Sequence, residues 1–496
     1  MITPSILYNY YQCPHKVWRD KYGPKSEEME ETNPFVQLLW DKGVQHEKNI
    51  IQKIYNGLLD LSNGSIEERI VRTKDAIQNK VTLIYQPVIT NGNLFGIPDL
   101  LELQTNGDYL PIDIKSGQGF EGQSDFEDEQ KLKKHYAIQL CLYVEILIKE
   151  GILNSYEGFI LDGDGEKVKY ELDKGISPRN PQTFWEYYNE VKRNVIEILD
   201  GKQLNEPAMS GICKLCSWFH SCKNWCKIND DPTQIFYLGR SVRDKLKSQA
   251  KIKTVEDVKN MDIPTLLNEK KNDKTFLKGI GEGTLQKAKI RAKILKDQSE
   301  PIAYSKFDFP NVQFELFFDI EDDPTQDFVY LHGLFVRENG KEYFKEFVAH
   351  TIDNNAEEKA WSDFWDYIKC LPKNDFAVYY YSQHEKTTYF KLQKKYPNVI
   401  SVEELTEFFE SEKVLDLYTN FVLKNTDWPL GSYSIKEIAT YLGFAWRDET
   451  PSGALSIQWF NNYISSGDKN ILTRILQYNE DDCKATMILK DKLNEM

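Results

Sequence analysis

The chain has 496 residues, of which 41% are hydrophobic and 28% are charged, and its formal net charge is -15. This length allows two to four domains, and the acidic balance argues against a protein that binds nucleic acid through a broad basic face. The first residues lack the pattern of a signal peptide, and no uncharged apolar run approaches the ~20 residues of a membrane span. We therefore expect a cytoplasmic protein that does not enter membranes.

Patterns within residues 1–230 predict a mixed α/β domain. Residues 34–56 carry apolar side chains at helical spacing, and residues 81–117 contain strand patterns separated by Asn/Gly turns. Residues 135–151 predict an amphipathic helix, and residues 157–172 predict a β-hairpin.

Three side chains on these strands could together form one catalytic site. We place Asp99 at the end of a strand, while Asp113 and Lys115 lie two residues apart on the next strand and therefore project from one face. Two neighbouring carboxylates need a cation, and Mg²⁺ suits hard oxygen ligands such as these and the carbonyl of Ile114. Lys115 would then orient or deprotonate the attacking water.

This set resembles the PD-(D/E)xK nuclease core in its RecB-like, restriction-endonuclease-like branch. His46 on the preceding helix extends the resemblance. Gln139 and Tyr143 extend it further, since they share one face of the following helix and match a Q-x-x-x-Y element. The resemblance implies that His46 and Asp99 bind metal and that the Gln and Tyr support the site. Taken alone, the Asp-Ile-Lys stretch also fits a solvated ion pair on a half-exposed strand.

Four closely spaced cysteines indicate a metal centre. Cys213 and Cys216 form a Cys-x-x-Cys pair, and Cys222 and Cys226 follow, so that these four thiolates could hold zinc. With Cys13 included, the pattern resembles the iron–sulphur RecB-like nucleases, in which one cysteine before the core and three after it hold a [4Fe–4S] cluster. That resemblance assigns the cluster to Cys13, Cys213, Cys216 and Cys222, and leaves zinc as the alternative.

Residues 231–300 are helical and rich in Lys, and they predict a linker between two domains. The stretch LKGIGEGTLQKA resembles a helix-hairpin-helix motif, whose glycine-rich turn presents backbone N–H groups to a DNA phosphate. The residues that this resemblance assigns to DNA binding are Lys278, Gly279, Gly281, Gly283, Lys287 and Lys289. A solvated pair of helices that only connects domains is the alternative.

Residues 301–496 predict β-hairpins followed by alternating strands and helices. Asp319 and Glu321 share one face of a predicted strand, and Tyr478 and Asp482 share one face of the closing helix. This pattern resembles the DEDD exonucleases of the ribonuclease H-like fold in their Tyr-containing form. The resemblance implies that the acidic residues bind two metal ions and that the Tyr positions the attacking water.

The second acidic motif of that family is altered in this sequence. Glu385 is the best-placed carboxylate where the family has an Asp, and Asp416 is its competitor. Because a Glu is long enough to reach a metal ion, we expect an active domain, with a nucleic-acid-binding relic as the alternative.

The three segments together resemble a bacterial and archaeal family of RecB-like nucleases with a C-terminal DEDD domain. We therefore expect an α/β multidomain nuclease that depends on Mg²⁺ or Mn²⁺ and acts at two sites on DNA ends or single strands. The sequence contains no G-x-x-x-x-G-K-[S/T] loop, so unwinding would require a helicase partner. A non-catalytic subunit that binds DNA ends and an RNA-processing exonuclease are the alternatives.

Overall fold

The computed structural model describes residues 1–29, 34–54, 57–121, 131–177, 180–203, 205–373 and 375–496. The chain forms two units. The first contains Met1–Pro207 and Gly211–Lys223, and the second contains Ala208–Ser210 and Asn224–Met496, so that residues 231–300 belong to the second unit. None of the described helices is both long enough and apolar enough to cross a membrane.

A mixed sheet of six strands forms the centre of the described part of the first unit. Its strands, in spatial order, are Leu58–Asp60, Leu83–Tyr85, Leu100–Leu103, Tyr109–Ile114, Glu157–Leu161 and Lys167–Glu171. The first two strands are parallel, as are the fourth and fifth, and the other neighbours are antiparallel. The predicted hairpin at residues 157–172 is confirmed.

Short hairpins and helices surround this sheet. The hairpins pair Ile89–Asn91 with Leu94–Gly96, Phe120–Glu121 with Lys131–Leu132, and Gly175–Ser177 with Asn180–Thr183. The helices are Pro4–Gln12, Pro14–Tyr22, Pro34–Ile54, Ile66–Gln78, Lys134–Lys149 and Phe184–Leu199, followed by Phe219–Ile228, which crosses into the second unit.

The helix Lys134–Lys149 is the centre of the core of the first unit. Every residue of Ala137–Leu147 except Gln139 is buried, because the helix packs against the sheet and against the helices Pro4–Gln12 and Phe184–Leu199. The predicted helix is therefore confirmed, whereas its predicted amphipathic character is wrong, since a helix that is apolar on most sides is covered on most sides. The one position that is not buried belongs to the predicted site.

The second unit begins with a helical segment. Its helices are Arg240–Gln249, Val255–Asn260, Ile263–Asn272 and Glu282–Asp297. Arg291 in the last of these helices forms a buried ion pair with Asp427, with 2.6 Å between Nε and Oδ1. Asp427 lies in a small strand pair formed by Ile302–Ala303 and Thr426–Asp427. Breaking such a buried pair costs roughly 3–5 kcal/mol, so the helical segment and this strand pair are firmly joined.

A five-stranded sheet follows. Its strands, in spatial order, are Lys341–Val348, Phe328–Glu338, Phe314–Asp323, Phe376–Tyr380 and Val414–Asp416. The first three are antiparallel and the last three run parallel to one another. The helices of this part are Asn354–Cys370, Gln383–Lys395, Val402–Glu410, Ile435–Tyr441, Gly453–Ser466 and Lys469–Glu495, with short helical turns at Leu417–Val422 and Leu423–Asn425.

Side chains of the central strand Phe314–Asp323 alternate between two cores. Leu316 and Phe318 belong to a core that also contains residues of the helix Asn354–Cys370, whereas Phe317 belongs to a core shared with the helix Lys469–Glu495. Because successive strand residues point to opposite faces, the next odd-numbered positions face the helix Lys469–Glu495 as well.

Candidate active site

Three carboxylates meet where the strand Phe314–Asp323 faces the helix Lys469–Glu495. Asp319 and Glu321 lie on the strand and Asp482 lies on the helix, and one carboxylate oxygen of each lies within 4.8 Å of the other two. Within the described ranges, no other three Asp, Glu, His or Cys residues are gathered this closely. Oxygen ligands at this spacing suit a hard divalent cation.

Mutual repulsion and burial perturb all three carboxyl groups. Burial is the largest cause of the raised pKa in each case, and the charge of Asp482 raises the pKa of Asp319 and of Glu321 further. The pKa of Glu321 rises from its usual 4.5 to about 8. A bound divalent cation would remove this penalty, because it favours the ionised form of every ligand.

A close approach between the strands and the closing helix positions these groups. Gly333 lies opposite Asp319 on the neighbouring strand, and a Cβ atom at position 333 would lie 1.7 Å from Oδ1 of Asn479. Only Gly allows the helix to come so near. Asn479 is fully buried and donates from Nδ2 to Oδ2 of Asp319 at 2.7 Å, so that it orients this carboxylate.

One further side chain contacts the acidic group, and another contacts the neighbouring Tyr478. Trp446 donates from Nε1 to Oδ1 of Asp482 at 2.7 Å. Lys436 donates from Nζ to Oη of Tyr478 at 2.8 Å. Tyr478 is buried, and burial together with the nearby Asp482 charge holds its pKa well above the usual 10, so that its hydroxyl stays protonated.

Glu385 lies in the first turn of the helix Gln383–Lys395 and is buried. Its charge raises the pKa of Asp319, which places it near the acidic group, although it is not a member of the group whose oxygens lie within 4.8 Å. Burial raises its own pKa to about 7, and Ser382 donates to its Oε2 at 3.2 Å. The structure therefore places Glu385 beside the site and not at its centre.

Asp416, the competing residue, has local partners. Its Oδ1 accepts from the backbone N of Thr419 at 2.8 Å and its Oδ2 accepts from Nε2 of Gln383 at 2.6 Å. The contact with Thr419 caps the helical turn Leu417–Val422, which is a structural role.

A family model of the RNase_H superfamily matches residues 316–494. The C-terminal part of the chain is an RNase H-like domain. The match contains the whole acidic group and all of the helix residues that contact it, so the expected ribonuclease H-like domain is confirmed at the level of the superfamily. No curated protein and no solved structure matches the chain.

A second candidate site, formed by two aspartates and a lysine, lies in the first unit. Asp113 is 1% exposed and forms an ion pair with Lys115, and the backbone N of Ile114 donates to Oδ2 of Asp99 at 2.6 Å. Burial raises the pKa of Asp99 well above its usual value, and the charge of Asp113 adds to this effect. Asp99 directly precedes the strand Leu100–Leu103, so its predicted place at the end of a strand is wrong.

Gln139 and Tyr143 support this second site from the helix Lys134–Lys149. Gln139 donates from Nε2 to Oη of Tyr143 at 2.9 Å, and Tyr143 donates to the carbonyl of Ile97 at 3.1 Å. A Cβ atom at Gly96 would lie 2.7 Å from the Tyr143 ring, so Gly at this position allows the ring to reach the backbone just before Asp99.

The helix Pro34–Ile54 presents two adjacent polar residues, His46 and Glu47. Gln86 joins Glu47 to the site, because its Nε2 donates to Oε1 of Glu47 at 2.8 Å and to Oδ1 of Asp99 at 3.0 Å. Nε2 of His46 is buried and has no hydrogen-bond partner in the described part of the chain. Glu47 and Gln86 are candidates that sequence reasoning missed, although the acidic neighbour of His46 was an available signal.

The four cysteines assigned above to a cluster are named here the cysteine quartet: Cys13, Cys213, Cys216 and Cys222. The pKa of Cys222 rises to about 11, chiefly through burial, with contributions from the other three thiols and an opposing one from Arg19. The quartet is therefore gathered in one region of the first unit. Cys226 is buried and belongs to the second unit.

The glycine-rich turn lies between the helices Ile263–Asn272 and Glu282–Asp297. Gly279 has a φ of 84°, a left-handed conformation that favours Gly, and Gly281 is the N-cap of the second helix. Gly283 lies in the first turn of this helix with open space around its Cα atom.

The three lysines assigned to DNA binding differ in their surroundings. Lys278 and Lys287 are exposed. Lys289 donates from Nζ to the carbonyl of Met261 at 2.7 Å, so its ammonium already has a partner within the unit. Lys245 adds a charge near the turn, where it donates to the carbonyl of Lys278 at 2.7 Å.

Proposed function

We propose that the protein is a divalent-metal-dependent nuclease that hydrolyses DNA phosphodiester bonds at ends or in single strands and acts through two separate sites. The observation that carries the proposal is the convergence of Asp319, Glu321 and Asp482 within 4.8 Å, inside the region that matches the RNase_H superfamily. Buried carboxylates at this spacing repel one another, and a divalent cation is the partner that makes the arrangement favourable.

The residues around the acidic group have distinct roles in this proposal. A divalent cation, Mg²⁺ or Mn²⁺, held by the three carboxylates would act as a Lewis acid on the scissile phosphate and the attacking water. Asn479 holds the Asp319 carboxylate, and Trp446 holds that of Asp482. Tyr478 keeps its proton and positions the attacking water through its hydroxyl.

The second site of the proposal is a RecB-like core in the first unit. Its support is the juxtaposition of Asp99, Asp113 and Lys115 at the start of one strand and the end of its neighbour. Tyr109–Ile114 pairs in parallel with Glu157–Leu161, so that Asp113 lies on an inner strand of the sheet. The metal ligands would be the two aspartates, the carbonyl of Ile114 and His46, with Lys115 facing the attacking water.

The cysteine quartet would hold a [4Fe–4S] cluster. The support for this assignment is that the other three thiols act on the pKa of Cys222 within the first unit, together with the resemblance of the cysteine spacing to that of the iron–sulphur RecB-like nucleases. Protein purified without oxygen should be brown and contain iron and acid-labile sulfide in equal amounts, and Cys222→Ala should lose both. A colourless protein with stoichiometric zinc would contradict this assignment.

The glycine-rich turn and the exposed Lys278 and Lys287 support DNA as the polymer, bound through its phosphates and without sequence preference. A duplex substrate would require a helicase partner, because the sequence has no phosphate-binding loop of the helicase type.

The test is a cleavage assay on end-labelled single-stranded DNA, duplex DNA and RNA, with Mg²⁺, Mn²⁺ or a chelator. The variants are Asp319→Asn, Asp113→Asn and the double variant, with Glu407→Gln as a control on an exposed helix position. Each single variant should retain the products of the other site, and the double variant should cut nothing. Cleavage by the double variant, or an inert wild type, would refute the proposal, while cleavage of RNA alone would correct its substrate.

A further inference from the structure

Lys436 places a positive charge beside the acidic group of the RNase H-like domain. It lies in the first turn of the helix Ile435–Tyr441 and is half-buried. Its Nζ donates to Oη of Tyr478 and to the carbonyl of Pro451, both at 2.8 Å. It also lies 4.7 Å from the centre of the Tyr478 ring. Two hydrogen bonds and a ring contact hold this ammonium in one place.

These contacts determine the direction in which the Tyr478 hydroxyl can donate a hydrogen bond. An ammonium group can only donate, so the phenol oxygen must accept from Lys436. The phenol O–H is then left to donate to another group, and Asp482 is the nearest candidate, since it lies one turn further along the same face of the helix. The result is a directed chain from Lys436 through Tyr478 to a carboxylate of the acidic group.

The same ammonium changes the charge that a metal ion meets. The three carboxylates carry three negative charges when ionised, and Lys436 offsets one of them. Its Nζ lies 2.8 Å from the hydroxyl of Tyr478, which is one helical turn from Asp482, so its charge acts on the group at short range. A fixed cation at this position repels an incoming divalent ion and weakens its binding.

We propose that Lys436 is a positioning residue that orients the Tyr478 hydroxyl and limits the affinity of the acidic group for its metal ion. This inference rests on the proposed nuclease function of the RNase H-like domain. In this arrangement Lys436 raises the rate of cleavage and lowers the affinity of the acidic group for its metal ion. If Lys436 only joined its helix to the loop at Pro451, its substitution would change neither the cleavage rate nor the metal affinity.

The charge-removing and charge-keeping substitutions separate these two roles. Lys436→Met retains the length and apolar stem of the side chain but removes the charge and the donor. It should bind Mn²⁺ about tenfold more tightly and cleave about tenfold more slowly. Lys436→Arg retains the charge but has a planar fork of donors, so its Mn²⁺ affinity should stay near that of the wild type while cleavage slows.

Tyr478→Phe tests the chain of hydrogen bonds. It should slow cleavage as Lys436→Met does, and the two together should slow it little further, because both break the same chain. Tyr478→Phe should not reproduce the gain in Mn²⁺ affinity, since it leaves the ammonium charge in place. Lys469→Met, at an exposed position that begins the helix of Asp482, is the matched control and should change neither property.

The measurements are Mn²⁺ titration calorimetry and cleavage of end-labelled single-stranded DNA. Both use the full chain with Asp99→Asn and Asp113→Asn, which silence the site of the first unit. An unchanged or weaker Mn²⁺ affinity in Lys436→Met would overturn the inference. A wild type that binds Mn²⁺ but cuts nothing would instead refute the proposed function, and the affinity change would still decide the electrostatic role of Lys436.

Discussion

The acidic group of Asp319, Glu321 and Asp482 should destabilise the metal-free protein, and one neutral substitution should relieve this cost. Glu321→Gln keeps the shape of the side chain and removes its charge. The folded state holds the Glu321 proton more tightly than the unfolded chain does, because its pKa rises from 4.5 to about 8. The stability that this group contributes is therefore fully present below pH 4.5 and is lost as the pH rises through 8.

The size of the effect follows from this shift. Between pH 4.5 and pH 7 the loss amounts to about 3 kcal/mol, at roughly 1.4 kcal/mol per pH unit. Gln must rearrange the hydrogen bond that Glu321 shares with Asn479, so we expect a net gain of about 2 kcal/mol. In a unit of this size that gain corresponds to roughly 4–8 °C in melting temperature.

Differential scanning calorimetry of the full chain in a chelator, at pH 5 and at pH 8, measures this effect. The melting temperature of Glu321→Gln should be close to that of the wild type at pH 5 and should exceed it at pH 8. Saturating Mn²⁺ should stabilise the wild type, by about 2.7 kcal/mol at a hundred times Kd, and should leave Glu321→Gln almost unchanged. Glu407→Gln, at an exposed helix position, is the control.

The reasoning is refuted if Glu321→Gln melts at or below the wild-type temperature at pH 8, or if Mn²⁺ stabilises both proteins equally. The first result would mean that the three carboxylates do not repel one another in the folded state. The second would mean that the stabilising ion binds elsewhere.

Two further predictions test a close approach in the second unit and a buried ion pair in the first. Gly333→Ala should cost about 3 kcal/mol or more and abolish Mn²⁺ binding, because its Cβ atom would overlap Asn479; in contrast, Gly283→Ala, in open space within a helix, should stabilise by up to about 1 kcal/mol. Urea unfolding and Mn²⁺ titration measure both, and a Gly333→Ala protein that binds Mn²⁺ normally would exclude the packing argument. Lys115→Met should cost about 3 kcal/mol in metal-free protein at pH 7, since it leaves the buried Asp113 without its cation. Urea unfolding of this variant with less than about 0.5 kcal/mol of loss would show that the pair is not coupled in the folded state.

Local periodicity accounts for much of what could be predicted here. A strand repeats every two residues and a helix about every 3.6, so pairs such as Asp319 with Glu321 and Gln139 with Tyr143 could be placed on common faces without a structure. The strands and the closing helix of the RNase H-like domain were predictable for the same reason. The helix Lys134–Lys149 was predictable too, but its burial on most sides was not, because that burial depends on what surrounds it.

The sequence by itself determined which acidic residues to consider and which of them share a face. Only the tertiary structure decided their other contacts. Asn479 donates to Asp319, Lys436 donates to Tyr478, and the lack of a side chain at Gly333 leaves room for the closing helix. These contacts join residues far apart in the chain, and they depend on how a helix crosses a sheet and on the register of its strands. The way the helix crosses the sheet and the register of the strands cannot be read from the local spacing of residues, because packing sets both.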